Sequence, residues 1–145
     1  MTKPYPLPGP VARSLAVVGD RWTLLLIREL LVAPASYSEL ARRLVAIPTN
    51  LLADRLRLLE QEQILVPGRR PYELARKGRD LAPVLAGLAV WGQRHYGEPT
   101  SALATHSGCG GRVVLRSTCA QCGAQPVDAA DLDLHEVMAE PARGT

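Results

Sequence analysis

SYSELARRLVAIPTNLLADRLRLLEQEQIL, running from Ser36 to Leu65, is the stretch whose reading decides the fold. It divides into two short helices at a turn, Ala46-Ile47-Pro48-Thr49. In the first helix Tyr37, Leu40 and Leu44 fall on one apolar face. Pro48 cannot continue a helix from upstream but suits the first turn of a new one, and Thr49 and Asn50 add capping chemistry. Leu52, Leu56 and Leu59 then make a core-facing stripe. That turns Thr49, Asn50, Ala53, Asp54 and Arg57 outward and leaves Arg55 on the flank. A short helix, a tight turn and a longer helix with a polar, arginine-bearing outer face is a helix-turn-helix pattern. Helical hairpins also occur in proteins that never touch DNA, so a plain helical bundle stands beside the DNA-binding reading.

The chain of 145 residues is long enough for one domain with its own core and a small appendage. An apolar fraction of 47% excludes a disordered chain. No window reaches the roughly 18 uninterrupted apolar residues of a membrane span. The opening MTKPYPLPGP has no apolar signal-peptide core, so a cytoplasmic location is expected. The net charge of +3 is unevenly spread. From Ser36 to Arg79 there are nine Arg/Lys against five Asp/Glu, whereas from Pro126 onward five acids face Arg143 alone. A basic middle suits a polyanion, since phosphate contacts supply most non-specific DNA affinity. An Arg-rich solvated surface is the plainer alternative. With no Phe and no aromatic stacking platform, duplex DNA is a better guess than a single strand.

Upstream, Pro10 opens a helix through Val18, with Leu15 and Val18 on one side and Gly19 as its stop. Asp20 can cap a second helix, Arg21 to Val32, whose Trp22, Leu25, Leu26 and Leu30 form a broad central stripe that Pro34 ends. Downstream, Ile64-Leu65-Val66 and Tyr72-Glu73-Leu74 read as a hairpin around Pro67-Gly68-Arg69-Arg70-Pro71. A hairpin after a recognition helix is a wing, and its arginine tip suits phosphate or minor-groove contact. A long helix follows from Lys77 to Gly97, striped by Leu81, Val84, Leu85, Leu88, Trp91 and Tyr96, with Pro83 near its first turns. An apolar helix of this kind suits sharing with a second copy, because two-fold symmetry matches two half-sites.

The runs VARSLAVVGDRWTLLLIRELL, YSELARRL, IPTNLLADRLRLLE and KGRDLAPVLAGLAVWG resemble the HxlR family of winged helix-turn-helix transcription regulators over Pro10 to Tyr96. The resemblance implies a dimer joined by the first and last helices, here Pro10–Val18 and Lys77–Tyr96. It also implies a reading helix over Pro48 to Gln61 and a wing on the flanking backbone. Two departures stand out. Gly9 occupies the position where the family usually carries a Cys that some members use as a redox or electrophile sensor, so thiol sensing there is not available. The wing is shorter than usual, which argues against deep minor-groove insertion while leaving Arg69 and Arg70 able to reach a phosphate.

All three cysteines lie beyond this region, in THSGCGGRVVLRSTCAQCGAQPVD. Cys119-Ala120-Gln121-Cys122-Gly123 is a CxxCG knuckle, and His106-Ser107-Gly108-Cys109-Gly110 mirrors it as HxxCG, with Arg112 to Arg116 reading as a strand between them. Two knuckles supply the four ligands of a closed structural zinc site. Such a site would hold a segment of about 25 residues that cannot bury enough core alone. Three free thiols, a Cys119/Cys122 redox pair, or Cys109 paired with one of them are the alternatives. The tail from Asp128 looks like a short acidic helix with a frayed end, and His95 and His135 have no companion spacing.

The expected architecture is mainly α. A winged helix-turn-helix (α+β) domain over 10–97 precedes a small zinc-ribbon-like β unit over 104–127 and an acidic tail over 128–145. The expected function is a sequence-specific, homodimeric DNA-binding regulator, a repressor rather than an activator, acting on a pseudo-palindromic operator. Its DNA-facing residues are Tyr37, Thr49, Asn50, Asp54, Arg55, Arg57, Arg69 and Arg70. Asn50 and Arg57 are assigned to bases, and Arg55, Arg69 and Arg70 to phosphates. Structural zinc on His106, Cys109, Cys119 and Cys122 is the expected cofactor. Duplex DNA, a second copy and a small-molecule effector are the expected partners, with no membrane. A protein-interaction module and a small thiol redox protein are the competing functions. Catalysis is not expected, because the first hundred residues hold no cysteine, no apolar carboxylate pair and no Gly-rich phosphate loop.

Overall fold

Pro10 opens the first helix of the computed structural model, which describes residues 9–97, 105–125, 127 and 129–132. Helix α1 is Pro10–Val18, stopped where the Gly19 N–H donates to the Leu15 carbonyl at 2.8 Å. Of its expected apolar side only Val18 is buried; Leu15 stays exposed. The second helix, α2, is Thr23–Val32 and begins two residues later than its apolar pattern suggests. Arg21 and Trp22 are used up in the turn that the Asp20 side chain holds closed. Thr23, Leu26, Ile27 and Leu30 are its buried residues, while Leu25 faces out. TLLLIRELLV is apolar on most of its circumference, so periodicity alone misplaces the inward face by one position.

Helix α3, Tyr37–Arg43, starts on a capping box that the apolar pattern does not reveal. The Ser36 side chain accepts from the Glu39 N–H, and the Glu39 carboxylate accepts from the Ser36 N–H at 2.7 Å. After Leu44 the chain turns through Ala46, at φ 74, and buries Ile47 before α4, Thr49–Gln61. Pro48 is the N-cap of α4 rather than a first-turn residue, and no side chain caps the helix, so the expected capping by Thr49 and Asn50 is not made. The stripe is as expected: Leu52, Leu56 and Leu59 are buried to 1% exposure or less, as is Leu40 of the preceding segment, where Leu44 is 4% exposed. Fully burying a leucine is worth about 1.5–3 kcal/mol, so these residues fix the rotation of α4 about its axis.

The wing is smaller than two strands. Leu65 bridges Leu74, Val66 N–H donates to the Glu73 carbonyl, and Ala75 N–H donates to the Ile64 carbonyl, both at 2.9 Å. A third segment joins it: Ala35 and Tyr72 exchange both backbone hydrogen bonds, at 3.1 and 2.9 Å, and Ala35 is fully buried. One residue before the capping box of α3 therefore ties the helix-turn-helix to the wing.

The long terminal helix expected from Lys77 is two helices. Helix α5 is Arg76–Arg79 and α6 is Ala82–Tyr96. Pro83 has no N–H for the carbonyl four residues back, and its ring would crowd that carbonyl, which belongs to Arg79, the last residue of α5. The same place divides the chain into two compact units, Met1–Ala82 and Pro83–Thr145.

In the second unit α6 has no buried residue, and Leu115 lies within ordinary contact of the position a Cβ would take at Gly87. Arg112 to Arg116 is not a strand: pairing is confined to one bridge between Thr105 and Arg112. A single 3-10 turn, Ala129–Asp131, is the described part of the acidic tail. His135 and most of that tail lie outside the described residues. Among the described residues no helix is long and apolar enough to cross a membrane.

Candidate nucleic-acid interface

With its leucines buried, α4 presents Thr49, Asn50, Asp54 and Arg57 to solvent, and Ala53 is half-buried between them. Arg57 Nη1 meets Asp54 Oδ1 at 2.8 Å, each side chain 65% exposed. A fully solvated pair of this kind is worth a few tenths of a kcal/mol, about 0.3–0.5, so exchanging it for a base or phosphate costs little. The start of the helix is held from α3, where the Tyr37 hydroxyl donates to the Thr49 carbonyl at 2.8 Å. Tyr37 thus positions the reading helix whatever else it touches.

Arg55 is engaged differently from Arg57. It is half-buried, and its Nε lies 3.5 Å from Asp20 Oδ1 without hydrogen-bond geometry. Asp20 also accepts from the Trp22 and Thr23 N–H groups at 2.9 and 3.2 Å and takes the hydroxyl proton of fully buried Thr23 through Oδ2. The GDRWT run is therefore a joint: one carboxylate closes α2 and meets the flank of α4. Periodicity could place Asp20 as a cap but could not show that Arg55 would meet it.

At the wing tip, Arg69 pairs with Glu73 at 2.7 Å and Arg70 with Glu60 at 2.8 Å. Arg70 also stacks 3.9 Å over the Tyr72 ring. Glu60 takes a further bond from the Gly68 N–H at 3.0 Å, so the last turn of α4 grips the tip. The Arg70 guanidinium and that N–H hold the Glu60 carboxyl below the usual range, and Glu60 in turn raises Arg70. Lys77 closes the same end by donating to the Glu62 carbonyl at 2.7 Å. Two cations outside the expected DNA-facing set, Arg42 and Arg43, stand exposed in the last turn of α3, with Glu39 the acid in their field. A basic pair at the end of the first motif helix is the sequence signal for them, because that helix crosses the DNA backbone in helix-turn-helix docking.

A reading helix, a crossing helix with a basic end and a short arginine wing lie in one unit of the chain, and the family comparison agrees with that geometry. The model of the HxlR-like helix-turn-helix family matches residues 17–100. The chain belongs to the HxlR-like helix-turn-helix family. The HTH-type transcriptional regulator Rv3095 of Mycobacterium tuberculosis is 32% identical over 143 residues, spanning 92% of this chain and 86% of that protein. The crystal structure of PA1607, described as a candidate transcription factor, superposes with a TM-score of 0.73 at 30% identity, covering 86% of this chain and 92% of that one. Quinone-bound YodB from B. subtilis superposes at 0.53 with 29% identity, over 58% of this chain and 96% of that one. This HxlR-like chain is a DNA-binding transcriptional regulator with a mainly helical, winged helix-turn-helix fold.

At the family's usual sensor position, Gly9 is the buried N-cap of α1 with φ 108 and ψ 159. That backbone conformation is essentially restricted to glycine, so a cysteine there would be strained here.

His106 and the three cysteines lie in two turns of the second unit. His106 Nδ1 is 3.3 Å from Cys109 Sγ, and Cys122 is hydrogen-bonded to Cys119. The backbone N–H groups of Cys122 and Gln121 hold the Cys119 thiol below its ordinary value, and all three cysteines are free thiols. Among the described residues no three His, Cys, Asp or Glu side chains are gathered about one point that could hold an ion. His95 is placed by rings instead, 5.3 Å from Trp91 and 6.4 Å from Tyr96.

Proposed function

We propose that this regulator acts as a homodimeric repressor in the cytoplasm. It would lay α4 in successive major grooves of a pseudo-palindromic operator and would carry no catalytic activity of its own. The two-sidedness of α4 carries the reading. Its leucine face is sealed in the core, and its Thr49, Asn50, Asp54 and Arg57 face is bare. Asn50 suits adenine and Arg57 guanine, since each complements the donor and acceptor pattern that its base presents in the major groove. Arg42, Arg43, Arg69 and Arg70 take phosphates, and Tyr37 and Arg55 hold the reading helix at its angle. Support for pairing of two copies comes from apolar side chains left in solvent on α1 (Val11, Leu15) and on α6 (Val84, Leu88, Trp91). A pocket of about 420 Å³ beside α1, walled by Val17, Val18 and Ile64 and rimmed by Glu62 and Lys77, is the place for a small-molecule effector with an apolar body and one polar group.

Binding to operator DNA over a range of salt concentrations tests the reading. Asn50→Ala and Arg57→Ala should each lose about 1–3 kcal/mol on the operator and little on unrelated duplex, with circular dichroism unchanged. Arg69→Ala and Arg70→Ala should weaken both DNAs alike and reduce the salt slope by about one for each phosphate left without its arginine. Operator affinity untouched in both α4 variants would remove that helix from the reading role.

A further inference from the structure

The two turns of the second unit are built alike, bond for bond. In the first, the His106 carbonyl accepts from the Gly110 N–H at 2.8 Å, and the His106 N–H donates to the Gly111 carbonyl at 2.8 Å. In the second, the Cys119 carbonyl accepts from the Gly123 N–H at 2.9 Å, and the Cys119 N–H donates to the Ala124 carbonyl at 3.0 Å. Each turn closes on a glycine in the left-handed region, Gly110 at φ 68 and Gly123 at φ 74, where a side chain would be strained. Neither turn extends a sheet or buries an apolar residue: His106, Cys109 and Cys122 are exposed and Cys119 half-exposed. Each turn carries two soft or borderline ligand side chains, and in the second the Cys119 and Cys122 thiols are hydrogen-bonded. In the first turn that pair is His106 Nδ1 and Cys109 Sγ, 3.3 Å apart. Tetrahedral zinc with Zn–N and Zn–S bonds of about 2.1 and 2.3 Å would separate the same two atoms by roughly 3.6 Å, a small opening of the observed pair.

We propose that these turns are the two halves of one structural zinc site, with His106 through Nδ1, Cys109, Cys119 and Cys122 as its four ligands. Among the described residues no three such side chains stand about one point, so the proposed site requires the two turns to close on the ion. Its binding draws the turns together and orders a segment in which, among the described residues, β pairing is one bridge, Thr105 to Arg112, and the Val127 N–H reaches the Ser117 carbonyl at 3.2 Å. Three thiols lose their protons to solvent as the ion binds. Three thiolates and a neutral imidazole about Zn²⁺ leave a net charge of −1, and Arg112 and Arg116, in the stretch joining the turns, supply local countercharge. Four protein ligands leave no position for an activated water, so the ion is a staple and not a Lewis acid for substrate. The winged unit has its own core, so this inference does not rest on how that unit meets DNA.

Full-length protein, purified without added metal or chelator, decides it. Elemental analysis should give about one zinc per chain, and exchange with cobalt(II) should give the intense visible absorption of a tetrahedral thiolate site. Cys119→Ser and His106→Ala should lose the metal, and His106→Cys should keep it, which a merely structural histidine would not allow. If the serine variant does not fold, thiol titration of the wild type replaces it. All three cysteines should resist a thiol reagent until a chelator is added. Metal retained by Cys119→Ser, three thiols freely reactive in the untreated protein, or a Cys119–Cys122 disulfide in protein isolated under reducing conditions would each overturn the site.

Discussion

Asp20 ties the start of α2 to the flank of α4. Its carboxylate takes two backbone N–H groups at the start of α2, the hydroxyl of fully buried Thr23, and the flank of Arg55. Replacing it with alanine removes two backbone hydrogen bonds at the turn into α2, leaves a buried hydroxyl without its acceptor and strips Arg55 of its counter-charge. The turn bonds are worth about 1 kcal/mol, and an orphaned buried polar group adds about 1–3 kcal/mol. Asp20→Ala should therefore lower stability by about 2–4 kcal/mol in urea unfolding with an unchanged m-value, and Asp20→Asn by much less. A loss under about 0.5 kcal/mol would show that Arg55 and Thr23 find other partners. Gly19, the neighbour of Asp20, is fixed by space rather than by φ. A Cβ there would lie 2.4 Å from the Leu15 carbonyl oxygen. An Asp before an apolar run is a local signal, and it predicts the cap of a helix from Arg21; instead Trp22 is the N-cap and Asp20 holds the turn before it. The approach of Arg55 was not legible, because it spans a sequence separation that no periodicity reports.

Among the elements, α3 and the wing both depend on an ionised glutamate. Glu39 is lowered by the Ser36 N–H and then by its hydroxyl, and Glu60 by Arg70 and then, more weakly, by the Gly68 N–H. A carboxyl whose folded pKa lies below its ordinary value of about 4.5 adds stability that is complete above that value and is lost as pH falls through the folded one. Both elements should therefore loosen below about pH 4.5, in the order set by their own folded pKa values. Hydrogen-exchange protection at the Gly68 and Ser36 amides, corrected for the intrinsic rate, should fall on acidification in the wild type. In Glu60→Gln the loss of protection at Gly68 should already be present at neutral pH, while Ser36 behaves as before. Equal protection at Gly68 in wild type and variant would show that the grip on the wing is backbone alone. Pro83 sets the other element boundary. The apolar stripe runs unbroken from Leu81 to Tyr96, and only the missing N–H opposite Arg79 cuts the helix there.

For the molecule as a whole, the question is what covers its remaining apolar surface. Val84, Leu88 and Trp91 are 50%, 47% and 54% exposed along one helix, and α6 has no buried residue. A second copy is the occupant that the proposed pseudo-palindromic operator would require. Light scattering of the full chain at micromolar concentration should give the mass of two chains. Leu88→Glu should shift it toward one chain and weaken operator binding by loss of the second half-site, while hydrogen-exchange protection in α4 stays as in the wild type. A wild-type mass of one chain would sink the pairing.

The sequence alone determined the helix-turn-helix, the inward stripe of Leu52, Leu56 and Leu59, and the outward face of Asn50, Asp54 and Arg57. Each follows from a local period, and local periods are printed in the chain. It also determined the two alike turns at 106–111 and 119–124, since the glycine that closes each is a local signal. Only the tertiary structure decided that Ala35 pairs with the wing, that Asp20 meets Arg55, that Glu60 grips Arg70, and that Leu25 gives way to Ile27 in the core. These depend on which surfaces meet after the chain has closed on itself. On a helix apolar almost all round, or across a turn set by one carboxylate, several partners satisfy the local pattern equally well. Burial of the whole core then selects one.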